Sequence, residues 1–274
     1  MPATASAVAI IGAGNMAGAI ARALLSADRP PLLTVTTRTS VPAWADAPGV
    51  THLATSKRPE ANLEAVQGAH AVVLGVKPKD LVATAAAIAP ALEPGALVIS
   101  VAAGVSLAEL AAVLPAHAVA VRAMPNTPVA IGRGVTAVTV ADSCPADALA
   151  GVRSLLAPTG DVEEIAEADF DAFAAVAGSG PAYVYFLMEA LRAAAADQGL
   201  GEDLAARIVP RMVAGAAEYL LETGREPADL RAEVTSPGGM THAAITTMDE
   251  QGMPQAVRDG IAAAVQRART LSQG

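Results

Sequence analysis

Aromatic side chains and cysteine are almost missing from this sequence. Only 3% of its residues are Phe, Trp or Tyr, so its core has to be built from Ala, Val and Leu. The single cysteine, Cys144, excludes an internal disulfide and any multi-cysteine metal cluster, and no metal site is expected. Positive charge is scarce as well. Lys and Arg number 18 against 27 Asp and Glu, and the resulting net charge of −9 disfavours nucleic acid and anionic membranes as partners. The first basic residue is Arg22, so the start of the chain lacks the charged region of a secretion signal, and its apolar run dissolves into a glycine turn. No stretch of about 20 apolar residues runs without a breaker. The best candidate, 172–188, is cut by Gly178-Ser179-Gly180-Pro181. These absences lead to the expectation of a cytoplasmic protein without a membrane span.

What is present is a globular composition. The 274 residues are 53% hydrophobic and 16% charged, enough for one large domain or two modest ones. The stretch 7–20, AVAIIGAGNMAGAI, organises the rest. Val8 to Ile11 form an apolar run too short for a helix and suited to a buried parallel strand. A glycine turn, Gly12-Ala13-Gly14-Asn15-Met16-Ala17, then leads into a helical pattern over 17–25. Strand, glycine turn and helix in this order are the pattern of a dinucleotide-binding unit. Gly12 permits the tight turn, Gly14 lets a pyrophosphate approach the backbone, and Ala17 keeps helix and strand close. The helix N-terminus supplies free N–H groups and a positive dipole end.

Leu32–Thr37 reads as a second strand. It closes on Arg38-Thr39-Ser40, where an acid for the ribose of NAD would otherwise stand. A cation with two hydroxyls suits a 2′-phosphate and favours NADP(H) over NAD(H); the alternative for Arg38 is a solvated loop residue. Residues 44–59 read as irregular, and Asn62 as the cap of a short helix ending near Gln67. The run 71–76, AVVLGV, is the clearest buried strand, and it ends on Lys77-Pro78-Lys79-Asp80. Two of the chain's three lysines thus stand at the sheet edge where ligands bind in open α/β folds. Cations at a helix start oppose the dipole, which points to an anionic neighbour.

A helix to about Leu92 and a strand over 96–101 lead to the small turn Ala102-Ala103-Gly104. Ser106 and Glu109 form a capping box for the next helix, and a strand over 118–123 follows. Pro125 and Pro128 make 124–128 a rigid loop without helix. Strands over 134–140 and 161–165 flank a helix over 145–156. The alternation predicts an α/β fold: a Rossmann-type, doubly wound, mostly parallel sheet with helices on both faces.

The texture changes near residue 165. From Glu167 to Gln273 no strand pattern remains, which predicts an NADP(H)-binding domain over 1–165 and an all-α domain over 166–274. Long helices are expected over 181–198, 202–222 and 254–271. Ile208, Val209, Met212, Val213, Ala216 and Ala217 spread around one helix, more apolar surface than one small bundle can bury. A homodimer or higher homo-oligomer is therefore expected. Between these helices lies VTSPGGMTH, 234–242. Gly238 and Gly239 after Pro237 leave N–H groups free to converge as a nest for a carboxylate, with the Ser236 and Thr241 hydroxyls beside them. The same residues also suit a plain helix–helix connection. His242, next to the turn, reads as structural rather than as an acid.

Six ordered motifs carry a resemblance. IGAGNMAGAI (11–20), VKP (76–78), SVAAGVSL (100–107), RAMPNTPVAIGRG (122–134), AVAGSGPAYVYF (175–186) and VTSPGGMTHAAITTMDE (234–250) are similar to those of pyrroline-5-carboxylate reductases over almost the whole chain. The resemblance implies a Rossmann domain, a helical dimerisation domain, and reduction of 1-pyrroline-5-carboxylate to L-proline with NADPH, NADH being the alternative donor. It implies that Gly12, Gly14, Asn15, Met16, Ala17, Arg38, Thr39, Asn62, Gly75, Val76, Lys77, Pro78 and Ala103 hold the cofactor. Ser236, Gly238, Gly239, Met240 and Thr241 are implied to hold the substrate, with Thr241 near the ring nitrogen as the catalytic candidate and Glu167 a further substrate-side residue. The family's loop commonly has Thr where this chain has Met240, a change that a backbone N–H contact survives. An acid often precedes the VKP strand where His70 stands. Two other readings share the frame. A β-hydroxyacid dehydrogenase relies on a lysine in its helical half, whereas all three lysines here precede residue 80. The other is a catalytically silent NADP(H)-binding sensor, which turnover would separate from an enzyme.

Overall fold

The computed structural model describes residues 6–141, 144–145 and 147–272, so the expected helical stretch is described to Ser272 and Gln273 lies outside it. Eight strands form one sheet: β1 (Ala7–Ile11), β2 (Leu32–Thr37), β3 (Val50–Ala54), β4 (Ala71–Leu74), β5 (Leu97–Ser100), β6 (Val119–Met124), β7 (Gly134–Val140) and β8 (Gly160–Glu164). Their order is β3-β2-β1-β4-β5-β6-β7-β8. Neighbours run parallel except β6 and β7, whose short connection leaves no room for a crossover helix. The order reverses between β1 and β4, and at such a switch point a crevice opens beyond the strands' C-terminal ends.

The helices of this part are α1 (Asn15–Leu25), α2 (Ala61–Val66), α3 (Pro78–Ile88), α4 (Leu107–Ala111), α5 (Ala148–Leu156) and α6 (Phe170–Phe173). Alternation within β1 sends Val8 and Ile10 to one face and Ala9 and Ile11 to the other. The first face packs on Ile20 and Leu24 of α1 and on Val152 and Leu156 of α5. The second packs on Val66, Leu81, Ile88 and Leu110 from α2, α3 and α4. Helices therefore cover both faces, as the doubly wound pattern requires. The core is aliphatic; Phe170 is the one aromatic among its largest fully buried side chains.

Contacts divide the chain into Met1–Ser179 with Val265–Gly274, and Gly180–Ala264. The second unit holds α7 (Gly180–Asp197), α8 (Glu202–Thr223), α9 (Pro227–Glu233), α10 (Met240–Glu250) and most of α11 (Met253–Ser272). Its long helices carry the excess apolar surface expected of them. Phe186 is 73% exposed and Leu221 77%, while only Ala205 and Val209 of α8 are buried.

Four details depart from the sequence expectations. Residues 50–54, expected to be irregular, form the edge strand β3, because β2 supplies a full set of parallel partners that their mixed composition did not announce. Asn62 is not a cap: α2 starts at Ala61 and Asn62 is its second residue. The loop after Met124 contains a 3-10 turn over Thr127–Ile131, which tolerates Pro128 at its start because no N–H is needed there. The short helices α9 and α10 interrupt what read as a connection; α10 begins as soon as Gly239 releases the chain.

The Ser106–Glu109 capping box forms as expected: the Ser106 hydroxyl accepts from the Glu109 N–H at 3.2 Å, and the Glu109 carboxylate accepts from the Ser106 N–H at 2.8 Å. The Ser106 hydroxyl also donates to the same carboxylate at 2.6 Å, and that bond first, with the one from the Ser106 N–H second, holds the Glu109 carboxyl below the usual carboxylate range. Replacing Ser106 by Ala is expected to cost about 0.5–2 kcal/mol in urea unfolding at neutral pH. A lowered folded-state pKa stabilises above the unfolded value and is lost as pH falls through the folded one. The gap between parent and Ser106→Ala should therefore narrow on acidification; a gap independent of pH removes Glu109 from the account.

Candidate functional site

Beyond β1 the chain turns on Gly12, whose φ of +79° is open to glycine without strain. The Gly12 N–H donates to Thr36 Oγ1 at 3.1 Å and the Ala13 N–H to Thr36 O at 2.8 Å, tying the turn to β2. A Cβ at Gly12 would meet Val76 Cγ1 at 2.8 Å. One at Gly75, just past β4, would overlap Ala17 Cβ and lie 2.7 Å from Gly12 O. The start of α1 is thus pressed onto the ends of β1 and β4. Its first free N–H groups, at Asn15, Met16 and Ala17, have no carbonyl inside the helix.

These elements frame a cleft of about 710 Å³. Of the residues expected to hold a cofactor, Gly12, Gly14, Asn15, Met16, Arg38, Asn62, Gly75, Val76, Lys77, Pro78 and Ala103 line it. Two do not. Ala17 is buried beneath the turn, where it sets the spacing of helix and strand, and Thr39 is exposed off the cleft wall. Ser40, the second hydroxyl expected beside Arg38, lines the cleft too, and the walls also include Thr36, Thr37, Thr55 and Thr84, which no motif marked. Their common signal is position, since most stand at a strand's C-terminal end or just past it. The Arg38 guanidinium is exposed and makes no hydrogen bond or ion pair among the described residues. Lys77 precedes α3, with Pro78 as its first residue. Asn62 Oδ1 is buried without a partner among the described residues. A helix N-terminus and a free cation supply donors for phosphates, the glycine cradle lets a ligand approach the backbone, and the orphaned Asn62 oxygen can accept from a hydroxyl, the groups a phosphorylated dinucleotide needs.

Glu167 lies in the same unit, past β8, and is engaged. One carboxylate oxygen accepts from Arg122 Nη1 at 2.6 Å and from the Leu107 N–H at 3.0 Å. Arg122 is buried on β6 with its guanidinium 4.4 Å from the centre of the Phe170 ring. Glu167 Oε2 and Arg122 Nε are buried without partners among the described residues. Close by, Asn126 bridges the Val135 N–H at 3.0 Å and the Ala177 carbonyl at 3.1 Å, the latter in a π-helical turn over Ala174–Gly178. The sequence assigned Asn126 only to the rigid loop 124–128 and gave Arg122 no role, although both stand in the quoted 122–134 motif.

In the second unit Ser236-Pro237-Gly238-Gly239 forms a tight turn. The Gly239 N–H donates to Ser236 O at 3.0 Å, and Gly238 has φ +69°. A Cβ on Gly239 would overlap Ser236 Oγ. The expected nest is therefore modified: Gly239's N–H is spent in the turn. The turn does not use the Gly238 N–H, and further donors for an anion are those of Met240, Thr241 and His242 at the start of α10, whose first intrahelical-type bond is Ala243 N–H to Gly239 O at 3.0 Å. Thr241 is half-buried and Met240 is 92% exposed, so position 240 can offer its backbone without its side chain intruding.

Residues 7–104 match the family model described as NADP oxidoreductase, coenzyme F420-dependent, and residues 167–271 match the one described as pyrroline-5-carboxylate reductase dimerisation. Over 267 residues the chain is 37% identical to the pyrroline-5-carboxylate reductase of Pseudomonas aeruginosa, spanning 97% of each. The chain belongs to the pyrroline-5-carboxylate reductase family. It is also 35% identical to the pyrroline-5-carboxylate reductase of Corynebacterium melassecola over 272 residues, 97% of this chain and 98% of that one. A solved pyrroline-5-carboxylate reductase from Coxiella burnetii has the same fold, with a TM-score of 0.88 at 33% identity over 98% of this chain and 99% of that one.

For this pyrroline-5-carboxylate reductase family member, the two kinds of cleft glycine make a separable prediction. A Cβ at Gly14 meets nothing closer than Gly12 O at 4.0 Å, whereas one at Gly75 collides with α1. Gly14→Ala should keep the parent's stability but weaken NADP⁺ binding about tenfold or more by calorimetry, because its methyl occupies cleft space. Gly75→Ala should lose about 1–3 kcal/mol of stability as well. Equal stability losses in the two variants would contradict this packing.

Proposed function

We propose that this chain reduces 1-pyrroline-5-carboxylate to L-proline with NADPH, the last step of proline biosynthesis. The observation that carries the reading is the glycine-cradled cleft with its free Arg38 and orphaned Asn62 oxygen, in a chain related to these reductases from end to end. When bound, NADPH supplies the hydride. The N–H groups of Asn15 and Met16 at the start of α1 would hold its pyrophosphate, and Arg38 its 2′-phosphate. NADH, lacking that phosphate, is the poorer donor.

The substrate is a cyclic imine bearing a carboxylate. Protonation of its nitrogen makes the adjacent carbon a hydride acceptor, so orientation and dryness matter more than a strong acid. The turn at Ser236, Gly238 and Gly239, with the N–H groups of Met240 and Thr241, receives the carboxylate. The Thr241 hydroxyl meets the ring nitrogen. Glu167 enters this reading through Oε2, the oxygen that Arg122 leaves unused.

The exposed apolar faces of α7 and α8 support a homodimer or higher homo-oligomer built through the helical part. For the functional division we retain residue 165, which is supported by the end of β8 at Glu164. No helix among the described residues is long and apolar enough to cross a membrane. We place the enzyme in the cytoplasm, a reading supported by its single, unpaired cysteine.

The direct test follows NADPH absorbance with 1-pyrroline-5-carboxylate and purified protein. Tight NADP⁺ binding without turnover would remove the enzymatic reading. Arg38→Ala should raise KM for NADPH about tenfold or more and leave KM for NADH nearly unchanged, the loss of one charge-assisted contact.

Thr241→Val keeps β-branching and volume while deleting the hydroxyl. Turnover is expected to fall about ten- to a hundredfold, equivalent to about 1.4–2.7 kcal/mol, with cofactor affinity unchanged. Normal turnover at saturating substrate takes Thr241 out of the mechanism and leaves the loop backbone as the carboxylate site.

A further inference from the structure

The turn that carries Arg38 is held from one side by a side chain that no motif marked. Thr37 ends β2, is buried, and lines the cleft together with Arg38 and Ser40. Its hydroxyl lies 2.5 Å from the Ser40 carbonyl oxygen and 2.8 Å from Nε2 of His52. A carbonyl oxygen only accepts, so the single hydroxyl proton of Thr37 points to Ser40. The hydroxyl then has only lone pairs to offer His52, and Nε2 must carry the imidazole proton. The result is a directed relay: His52 Nε2–H to Thr37 Oγ1, and Thr37 Oγ1–H to Ser40 O. It closes the loop 38–40 onto its own strand.

His52 comes from β3, opposite Val35 in the register and so on the same sheet face as Thr37. The same strand's continuation grips the turn by its backbone. The Thr55 N–H donates to Thr37 O at 2.9 Å and the Ser56 N–H to Arg38 O at 3.0 Å. Those two bonds are available to any residue type. The relay depends on the side chain at 52, and without it the Thr37 hydroxyl is free to turn away from Ser40.

We infer that His52 is a positioning residue for cofactor selectivity, acting through Thr37 on the turn that aims Arg38 at a 2′-phosphate. The inference rests on the phosphate reading of Arg38. His52 touches neither substrate nor cofactor in this account, so its loss is felt in recognition of the phosphorylated ribose and not in the chemical step.

The test uses the full-length protein and two small probes. One is 2′,5′-ADP, which carries the 2′-phosphate, and the other is 5′-AMP, which lacks it. Binding is measured by calorimetry, with kcat and KM for NADPH and NADH on the same preparations. His52→Leu should weaken 2′,5′-ADP about three- to tenfold and 5′-AMP less than twofold, the scale of one lost neutral hydrogen bond. KM for NADPH should rise by the same factor while kcat at saturation holds. His52→Gln, whose amide N–H can reach the position of Nε2, should restore the parent's values. In an Arg38→Ala background His52→Leu should add less than twofold, since both act through one contact.

Equal weakening of both probes, no weakening of either, or a full effect of His52→Leu without Arg38 overturns the inference. If Arg38→Ala itself affects both probes alike, the phosphate reading falls and this inference with it. A selective Arg38→Ala beside an inert His52→Leu removes this inference alone. Should His52→Leu fail to fold, His52→Gln against His52→Asn makes the same comparison, because the Asn amide is too short to reach Thr37.

Discussion

Gly12, Gly75 and Ala17 meet where β1, β4 and α1 converge, and there is no space among them for another carbon. Gly75 lies so close to Ala17 Cβ and Gly12 O that any side chain on it would push α1 off the sheet. Because α1 is seated this low, its N-terminal N–H groups stand over the strand ends instead of facing solvent. The crevice of the strand-order reversal thereby becomes a site with a positive floor. The Arg38 turn, the Lys77 turn and the 101–103 segment are then brought to its rim by the parallel register of β2, β4 and β5. A close backbone approach at one point thus determines where every other cleft-lining group can act.

Charge is used economically on this scaffold. The chain is acidic as a whole, yet the cleft is lined by Arg38, which is unpaired among the described residues, and by Lys77. The one deeply buried cation among the core residues, Arg122, is matched by Glu167 and stacked on Phe170. Glu167 also binds the first N–H of α4, so this pair ties β6, the segment after β8 and the exit of the 101–106 loop into one cluster. Removing Glu167 strands the Arg122 charge in a low-dielectric setting, whereas Glu167, whose side chain is 38% exposed, keeps access to water when Arg122 is lost. The cleft cations Arg38 and Lys77 are left free among the described residues, and the buried Arg122 is consumed by its partner.

Much of this was legible from residue order. Strands with continuous aliphatic runs, such as 8–11 and 71–74, are bounded by glycine or charge and read without ambiguity. The Ser106–Glu109 box is a local exchange of hydrogen bonds that needs nothing from elsewhere in the chain. The cleft residues after β1, β2 and β4 were legible for the same reason: each sits just past the C-terminal end of a recognisable strand. What escaped was the non-local part. The strand Val50–Ala54 exists because β2 is there to pair with it, and its sequence VTHLA has no strong pattern of its own. Asn62 read as a cap because Asn favours that position, but the helix begins one residue earlier and turns the side chain into the cleft.

By itself, then, the sequence determined the alternation of strand and helix, the glycine cradle, the acid-free end of β2 and the surplus apolar surface of the later helices. Each of these follows from short-range sterics, backbone hydrogen bonding or composition, which act within a few residues. Only the tertiary structure decided that Glu167 is occupied by Arg122, that Gly239's N–H is spent inside its own turn, and that His52 reaches Thr37 across the edge of the sheet. Those outcomes depend on register between segments 15 to 45 residues apart, or on which of several local donors a turn consumes. Neither quantity is written in the identity of the residues one at a time.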